Sequence, residues 1–404
     1  MKTKRAACFV LLLSFLFATL SAFSADKTAM NKKKAQQALS YALGQITATA
    51  QNGKEGLFAR TTEPDGSWRW VKPNDWTSGF FPGLLWLLHE SSGKKQLREW
   101  AEKWTAALED QKNNVKTHDV GFILNSSFGN GLRITGRSEY RSVLLAGAKS
   151  LSSRFNPTIG CIRSWDHGTW TFPVIIDNLM NLELLFWAAQ NGGEPRFREI
   201  AVSHALKTIA EHIRPDGGTF HVVDYDPVSG AVKQKKTHQG YRDDSTWTRG
   251  QAWGIYGFTM CFRETGDRRF LEAATRLANY FLDRLPPDYV PYWDFQAPGI
   301  PQEPRDSAAG AIAASGLLEL CLRTPDAALQ SRYRQAAEKI LDSLCSPAYL
   351  TRGTPMKSIL AHATGSKAAN SEVDVALIYG DYYFVEALLR YLHPERIPKP
   401  AAAR

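Results

Sequence analysis

The sequence predicts an all-α chain folded as an (α/α)6 toroid, six helical hairpins closed into a ring, and two observations carry that prediction. The first is a recurring hairpin joint, in which a glycine ends one helix and a polar-aromatic stretch opens the next. It occurs as Gly93-Lys-Lys-Gln-Leu-Arg-Glu-Trp100, Gly136-Arg-Ser-Glu-Tyr-Arg141, Gly193-Glu-Pro-Arg-Phe-Arg-Glu199 and Gly266-Asp-Arg-Arg-Phe-Leu-Glu272. A fifth version, Ala327-Ala-Leu-Gln-Ser-Arg-Tyr-Arg334, lacks the glycine. The second observation is an alternation of helix types. Gly79-Phe-Phe-Pro-Gly-Leu-Leu-Trp-Leu-Leu88 is apolar on nearly every face, whereas Phe270-Leu-Glu-Ala-Ala-Thr-Arg-Leu-Ala-Asn-Tyr-Phe-Leu282 is amphipathic. An all-round apolar helix belongs inside, and an amphipathic one covers it.

Helical periodicity places the elements near residues 30–50, 79–92, 94–111, 119–135, 137–154 and 173–192. It continues near 195–213, 247–265, 267–285, 307–323, 327–345 and 373–392, giving six inner and six outer helices. No Pro/Ser-rich linker or low-complexity stretch divides the chain, so residues 25–404 read as a single domain.

Residues 1–24 have the form of an export signal: Lys2, Lys4 and Arg5, the apolar run Cys8 to Leu20, then Ala22-Phe23-Ser24 as a small-x-small cleavage site. The expectation is an exported protein, periplasmic or secreted. No later segment is apolar over the roughly 20 residues of a membrane span, so no membrane partner is expected. The chain carries 49 Lys and Arg against 40 Asp and Glu. This mild positive excess suits an anionic small substrate better than nucleic acid, which calls for a basic stripe. Lys32-Lys33-Lys34 reads as a solvated helix face. Cys161, Cys261, Cys321 and Cys345 lack close spacing and read as buried free thiols, with a disulfide as the alternative. No His/Cys/Asp set has metal-ligand spacing, and no metal or other cofactor is expected. Asp224-Tyr-Asp226 lacks the remaining ligands of a calcium loop and reads as a turn. Gly129-Asn-Gly131-Leu-Arg-Ile-Thr-Gly136 imitates a dinucleotide fingerprint but falls inside a helix.

In a toroid the functional groups belong in the loops before the inner helices, and the unusual residues are there: Trp76, Thr117-His118-Asp119, Asp177-Asn178, Asp243 to Trp253, Asp306 and Asp374. Asp119 and Asp177 stand in apolar surroundings, Thr-His-Asp-Val-Gly-Phe-Ile-Leu and Val-Ile-Ile-Asp-Asn-Leu-Met-Asn-Leu. Burying a lone carboxylate costs several kcal/mol unless it is neutralised or hydrogen-bonded, which points to an acid/base pair. The alternative is that each is a helix N-cap. Capping does not account for the clustering of tryptophan at Trp68, Trp70, Trp76, Trp165, Trp170, Trp247 and Trp253; such rings stack on sugar faces, although others, such as Trp86, fit core spacing. Two carboxylates with stacking aromatics suggest a glycoside-cleaving site. Arg249 among tryptophans fits an anionic sugar held by a planar two-point contact, the alternative being a salt bridge to Asp243 or Asp244.

From Trp68 to Tyr383 the chain resembles the unsaturated glucuronyl hydrolases, glycoside hydrolase family 88. The resemblance rests on Trp76-Thr-Ser-Gly-Phe-Phe-Pro-Gly83, His118-Asp119-Val-Gly-Phe122, Asp177-Asn-Leu-Met-Asn-Leu182, Phe220-His221 and His238-Gln239-Gly-Tyr241. It extends through Ser245-Thr-Trp247-Thr-Arg249-Gly-Gln-Ala-Trp253, Pro304-Arg-Asp306-Ser307 and Ile378-Tyr-Gly-Asp-Tyr-Tyr383. The resemblance implies removal of a 4,5-unsaturated uronic acid from the non-reducing end of lyase-generated oligosaccharides. It implies Asp177 as general acid/base and Asp119 as its partner. His118, His221, His238, Gln239 and Arg249 would hold the uronate and the hydrogen-bond network, with Trp76, Phe122, Trp247 and Trp253 lining the pocket. Ser366 and Lys367 fall where relatives contact the second sugar and its sulfate, although Lys367 could equally be a solvated loop residue. The rival readings are an unsaturated rhamnogalacturonyl hydrolase of family 105 and a non-catalytic sugar-binding protein. The second is disfavoured because a binder of anions gains nothing from carboxylates in its pocket.

Overall fold

The computed structural model describes residues 29–401, so the segment read as an export signal lies outside the described residues. Six helices follow the outer pattern: α1 (Lys32–Gln51), α3 (Lys95–Ala106), α6 (Ser138–Ser152), α8 (Arg196–His212), α10 (Arg268–Leu282) and α12 (Ala327–Leu344). The inner set is α2 (Phe80–Ser92), α4 (Val120–Leu124) continued by α5 (Asn130–Thr135), α7 (Asn178–Gln190), α9 (Thr248–Thr265), α11 (Ser307–Arg323) and α13 (Ile378–Leu392). Inner helices touch in the order α2, α4/α5, α7, α9, α11, α13 and back to α2, which closes the ring; α1 packs on α13. Every residue from Phe80 to Leu88 is buried, whereas α10 buries only the stripe that includes Phe270, Ala274, Leu277 and Phe281. Each large apolar side chain so buried is worth about 1.5–3 kcal/mol, which is what holds the two layers together.

Several expected boundaries are revised. Two inner helices start late: the stretch expected from 173 begins as β5 (Pro173–Ile175) and turns helical only at Asn178, and the last helix starts at Ile378. The stretch expected at 119–135 is interrupted by a π-helical turn, Asn125–Gly129. There Ser127 Oγ donates to Ile123 O and Asn130 Nδ2 to Ser126 O, so side chains compete for the backbone acceptors of a regular helix. The helix expected to reach 111 ends at Ala106 and is followed by a short 3-10 turn. At the third hairpin joint the left-handed residue is Gly192, not Gly193.

Three small antiparallel sheets are added to the helices: β1 (Phe58–Thr62) with β2 (Trp68–Val71), β3 (Phe155–Asn156) with β4 (Cys161–Ile162), and β5 with β6 (Val222–Tyr225) and β7 (Val232–Lys236). These sheets decorate loops at the end where the inner helices begin. A cavity of about 450 Å3 runs from Phe122 and Met180, in the first turns of α4 and α7, to the C-terminal turns of the ring, where Glu183, Arg263, Glu386 and Arg390 line it. Arg263 there meets Glu183, Glu264 and Glu319, so the charges pair within the ring and tie its helices together. The four described cysteines are buried and unpaired. Among the described residues no helix is long and apolar enough to cross a membrane. Asp226 accepts from the N–H groups of Val228 and Ser229, the turn expected of that segment.

Candidate active site

Asp119 and Asp177 occupy the cap positions of α4 and α7, yet neither side chain caps its helix. Capping therefore does not explain these two acids. Their helices are held face to face by Gly121: a Cβ on it would lie 2.5 Å from Asn181 Cα, and beside it Phe122 N–H donates to Asn181 Oδ1 at 2.7 Å. Only glycine permits this approach, which brings the two helix starts together.

The two carboxyls live in different surroundings. Asp119 is partly exposed, with Oδ2 accepting from Thr117 Oγ1 at 2.6 Å and Oδ1 lying 3.3 Å from His118 Nε2. Asp177 is 8% exposed among Ile175, Ile176, Leu179 and Met180, and its Oδ2 has no partner among the described residues. Desolvation pushes its carboxyl up to about 7; Arg249 opposes the rise and Asp119 adds to it. Near neutral pH it therefore holds a proton it can give away.

His221 Nε2 lies 3.9 Å from that same Oδ2 and is also unpartnered. Its Nδ1 accepts from the backbone N–H groups of His238 and Gln239, both at 3.2 Å, which fixes the proton on Nε2. Burial holds its pKa well below the usual histidine value, so the ring is a neutral donor. Trp247 stacks on it with centroids 4.4 Å apart. Aromatic contacts continue from Tyr379 to half-buried Trp76 at 4.8 Å, on to Phe122 at 5.6 Å, and from there to Trp253 at 5.2 Å. On the other flank His238 leads outward to Trp165, whose ring stacks on His167.

Three expected roles change. His118 is 2% exposed with Nε2 turned to Asp119 Oδ1, an arrangement that orients that carboxylate. Arg249 is 1% exposed, and its fork is already engaged: Nη1 donates to Asp306 Oδ2 and to Thr364 O at 2.5 Å, Nη2 to Gly365 O at 2.5 Å. Both ends of the guanidinium are thus tied to protein, and its carboxylate partner is Asp306; Asp243 instead pairs with Lys236 and Asp244 with Arg242. Lys367 pairs with Glu303 at 3.0 Å, and Glu303 also accepts from Trp293 Nε1 at 2.8 Å.

Gln239 Nε2 joins Arg249 on Gly365 O at 2.8 Å, anchoring the loop that carries Ser366 and Lys367. That loop holds His362, Asn370, Glu372 and Asp374 at positive φ, each costing about 1 kcal/mol or more, and it persists because it is tied down on several sides. Arg60 and Arg69 grip Glu372, and His362 pairs with Asp374 at 2.7 Å. Ser366 Oγ is buried without a partner among the described residues. Reading by sequence brought Thr117 and Asn181 into its motifs but gave no site-shaping role to them, or to Glu303 and Glu372. All four act through partners remote in sequence or through local geometry, and no spacing rule signals that.

A family model described as Glycosyl Hydrolase Family 88 matches residues 58–388. The chain is 47% identical over 326 residues, 79% of its length and 80% of the relative's, to the unsaturated glucuronyl hydrolase of Formosa agariphila. It is 34% identical to the unsaturated chondroitin disaccharide hydrolase of Streptococcus pneumoniae, covering 90% of this chain and 93% of that protein. Among solved structures, an unsaturated glucuronyl hydrolase specific for heparin superposes with a TM-score of 0.88 at 43% identity, covering 91% of this chain and 99% of that one. With a ring of six inner helices, two unlike carboxyls at its mouth and this degree of likeness along the chain, the protein is a glycosidase that belongs to glycoside hydrolase family 88.

Proposed function

We propose that this glycosidase removes a 4,5-unsaturated glucuronic acid from the non-reducing end of lyase-generated oligosaccharides, with glycosaminoglycan-type disaccharides favoured. The observation that carries the reading is Asp177, a carboxyl held up to about 7 with one oxygen free and aimed toward a neutral histidine donor. General acid delivery to carbon requires such a group. Asp177 gives its proton to C4 of the enol ether, and water adds its oxygen at C5 while returning a proton to the carboxylate just formed. The resulting hemiketal opens to a ketone, leaving a hemiacetal at C1 that expels the second sugar. Asp119, fixed by Thr117 and His118, supplies the fixed negative charge that favours the protonated form of Asp177 and the cationic character developing at C5. Trp76 offers the half-exposed ring on which the uronate ring would stack.

The inner helices begin at this mouth, and their N-terminal dipoles favour an anion there, which supports a uronate without the Arg249 clamp. The leader-like composition of residues 1–24 supports an exported, periplasmic or secreted enzyme that meets lyase products outside the cytoplasm. A panel of unsaturated disaccharides from chondroitin, hyaluronan, heparin, gellan-like and pectic polymers tests the reading by loss of the enol-ether ultraviolet band. Turnover of the pectic member alone would move the protein to the rhamnogalacturonyl reading; turnover of none would remove the assignment.

A further inference from the structure

Strand β1 carries one residue more than its partner β2. Ala59 faces Trp70 and Thr61 faces Arg69, so Arg60 is the extra residue of a β-bulge. A bulge turns a side chain off the regular face of a sheet, and such features recur beside active sites. Here it brings the guanidinium to two carboxylates far apart in sequence. Nη1 donates to Asp75 Oδ2 at 2.6 Å, while Nε and Nη2 donate side by side to Glu372 Oε1 and Oε2 at 2.7 and 3.2 Å. Among the described residues Arg60 alone pairs with both acids; Arg69 adds a contact to Glu372 only.

Each acid belongs to a different wall of the candidate site. The second oxygen of Asp75 accepts from Thr77 N–H at 2.9 Å and from Thr77 Oγ1 at 2.7 Å, closing a turn around Trp76, the half-buried ring offered to the uronate. Glu372 stands across from Gly365 in the loop that carries Ser366 and Lys367: Gly365 N–H donates to Glu372 O at 2.7 Å, and a Cβ on Gly365 would lie 2.5 Å from Glu372 Oε2. Glu372 holds a φ of 55°, so its backbone relies on side-chain ties to keep it there. One arginine suffices for both walls because a planar guanidinium serves one carboxylate along its edge and a second at its tip, which a compact ammonium cannot do. Two cations, Arg60 and Arg69, face two anions, Asp75 and Glu372, so the cluster has no spare charge with which to bind an anionic sugar.

We propose that Arg60 is a positioning residue that ties the Trp76 turn to the 362–374 loop and thereby sets the width of the substrate mouth; the role rests on the proposed function, with Trp76 stacking the uronate ring and the loop of Ser366 and Lys367 beside the second sugar. The tie lies outside the groups that set the charge of Asp177, among them Arg249 and Asp119. Loosening it therefore removes binding shared by ground and transition states, and the loss belongs in KM and not in kcat. Coupling through one residue is also reciprocal: freeing either wall frees the other.

The tie is tested without substrate, so its failure is distinct from failure of the proposed function. Hydrogen exchange read by mass spectrometry on the full chain should show the 362–374 amides exchanging several-fold faster in Asp75→Asn, and the Thr77 and Ser78 amides several-fold faster in Glu372→Gln. Exchange that changes only around the substituted residue in both variants overturns the proposal. Kinetics on the unsaturated disaccharide that is turned over test the positioning. Arg60→Lys, Asp75→Asn and Glu372→Gln should each raise KM roughly tenfold, the loss of one charge-assisted hydrogen bond, with kcat and its pH limbs unchanged. The Asp75→Asn/Glu372→Gln double variant should be no worse than the poorer single one, because either change already cuts the tie. KM effects that multiply in the double variant, or a fall in kcat at constant KM, overturn the role, the second being the mark of a partly unfolded enzyme. A KM that improves in Asp75→Asn while worsening in Arg60→Lys also overturns it, since Arg60 would then bind the substrate anion directly. If Arg60→Lys does not fold, the two acid variants decide.

Discussion

Asp177 is tolerated inside the ring because it is protonated there, and its protonation ties stability to chemistry. Asp177→Asn keeps the shape but cannot deliver a proton; a loss of about 10²- to 10⁴-fold in kcat is expected, with normal folding by circular dichroism. Because the acid must hold its proton, wild-type kcat should fall about tenfold per pH unit above about 7, read from a pH–rate profile. Arg249 poses a different question. Its fork binds Asp306 and two carbonyls of the 362–374 loop, so Arg249→Lys should weaken the loop and leave buried Asp306 poorly paired, at a cost of about 3 kcal/mol in stability. Its loss in kcat/KM should be the same on free-acid and methyl-esterified uronates. A defect confined to the free acid would instead show a direct contact with the substrate carboxylate.

At the scale of elements, the meeting of α4 with α7 is the joint on which the site depends. Gly121→Ala places a methyl 2.5 Å from Asn181 Cα, and neither backbone can yield cheaply. A loss of about 1–3 kcal/mol in denaturant unfolding is expected, with a disproportionate fall in kcat because the two aspartates shift relative to each other. The adjacent π-helical turn belongs to the same joint, since its Asn125 side chain donates to Glu183 on α7 at 3.0 Å. The three small sheets do the complementary work of fixing loops. β5 delivers the chain into Asp177 while pairing with β6, which begins one residue after His221. The acid and its histidine neighbour thus sit on adjacent strand ends.

For the whole molecule, protonation of buried groups sets how stability depends on pH. His118, His204, His212 and His221 are buried neutral, with pKa values below the usual 6.5 and that of His212 held down to about 4. The unfolded chain binds protons at these sites that the native chain refuses, so stability rises as pH climbs from about 4 to about 6.5. Asp177 and Asp381, both pushed up to about 7, act in the opposite sense: the native chain retains their protons, and stability falls as pH climbs from the ordinary carboxylate range to about 7. Glu183, Asp294 and Asp306 are raised by burial in the same sense as those two acids, and His238 is lowered like the four histidines, so a single group is read by difference. Replacing Asp177 by Asn removes one contribution that falls with pH, so the change in melting temperature from pH 4.5 to 6.5, measured by calorimetry, should be more positive in the variant than in the wild type.

The ring itself was legible in the sequence because its causes are local and periodic: an apolar run such as Phe80 to Leu88 must be covered on all sides, and an amphipathic run such as Phe270 to Leu282 must do the covering. The same locality made Asp119 and Asp177 conspicuous, since a carboxyl in an apolar context is costly wherever the chain runs. The start of α7 was misread because the run Pro173 to Ile176 is apolar in either conformation, and only pairing with β6 makes it a strand. The salt-bridge partner of Arg249 was misread for a related reason. A cation among tryptophans looks the same in sequence whether its partner is a ligand or an aspartate 57 residues away, and the choice of Asp306 is made by the packing of α9 against α11. The burial of His118, and the placing of Arg60 between Asp75 and Glu372, depend on segments distant in sequence meeting in space. Burial and hydrogen-bond satisfaction are properties of that meeting, and only the tertiary structure decides them.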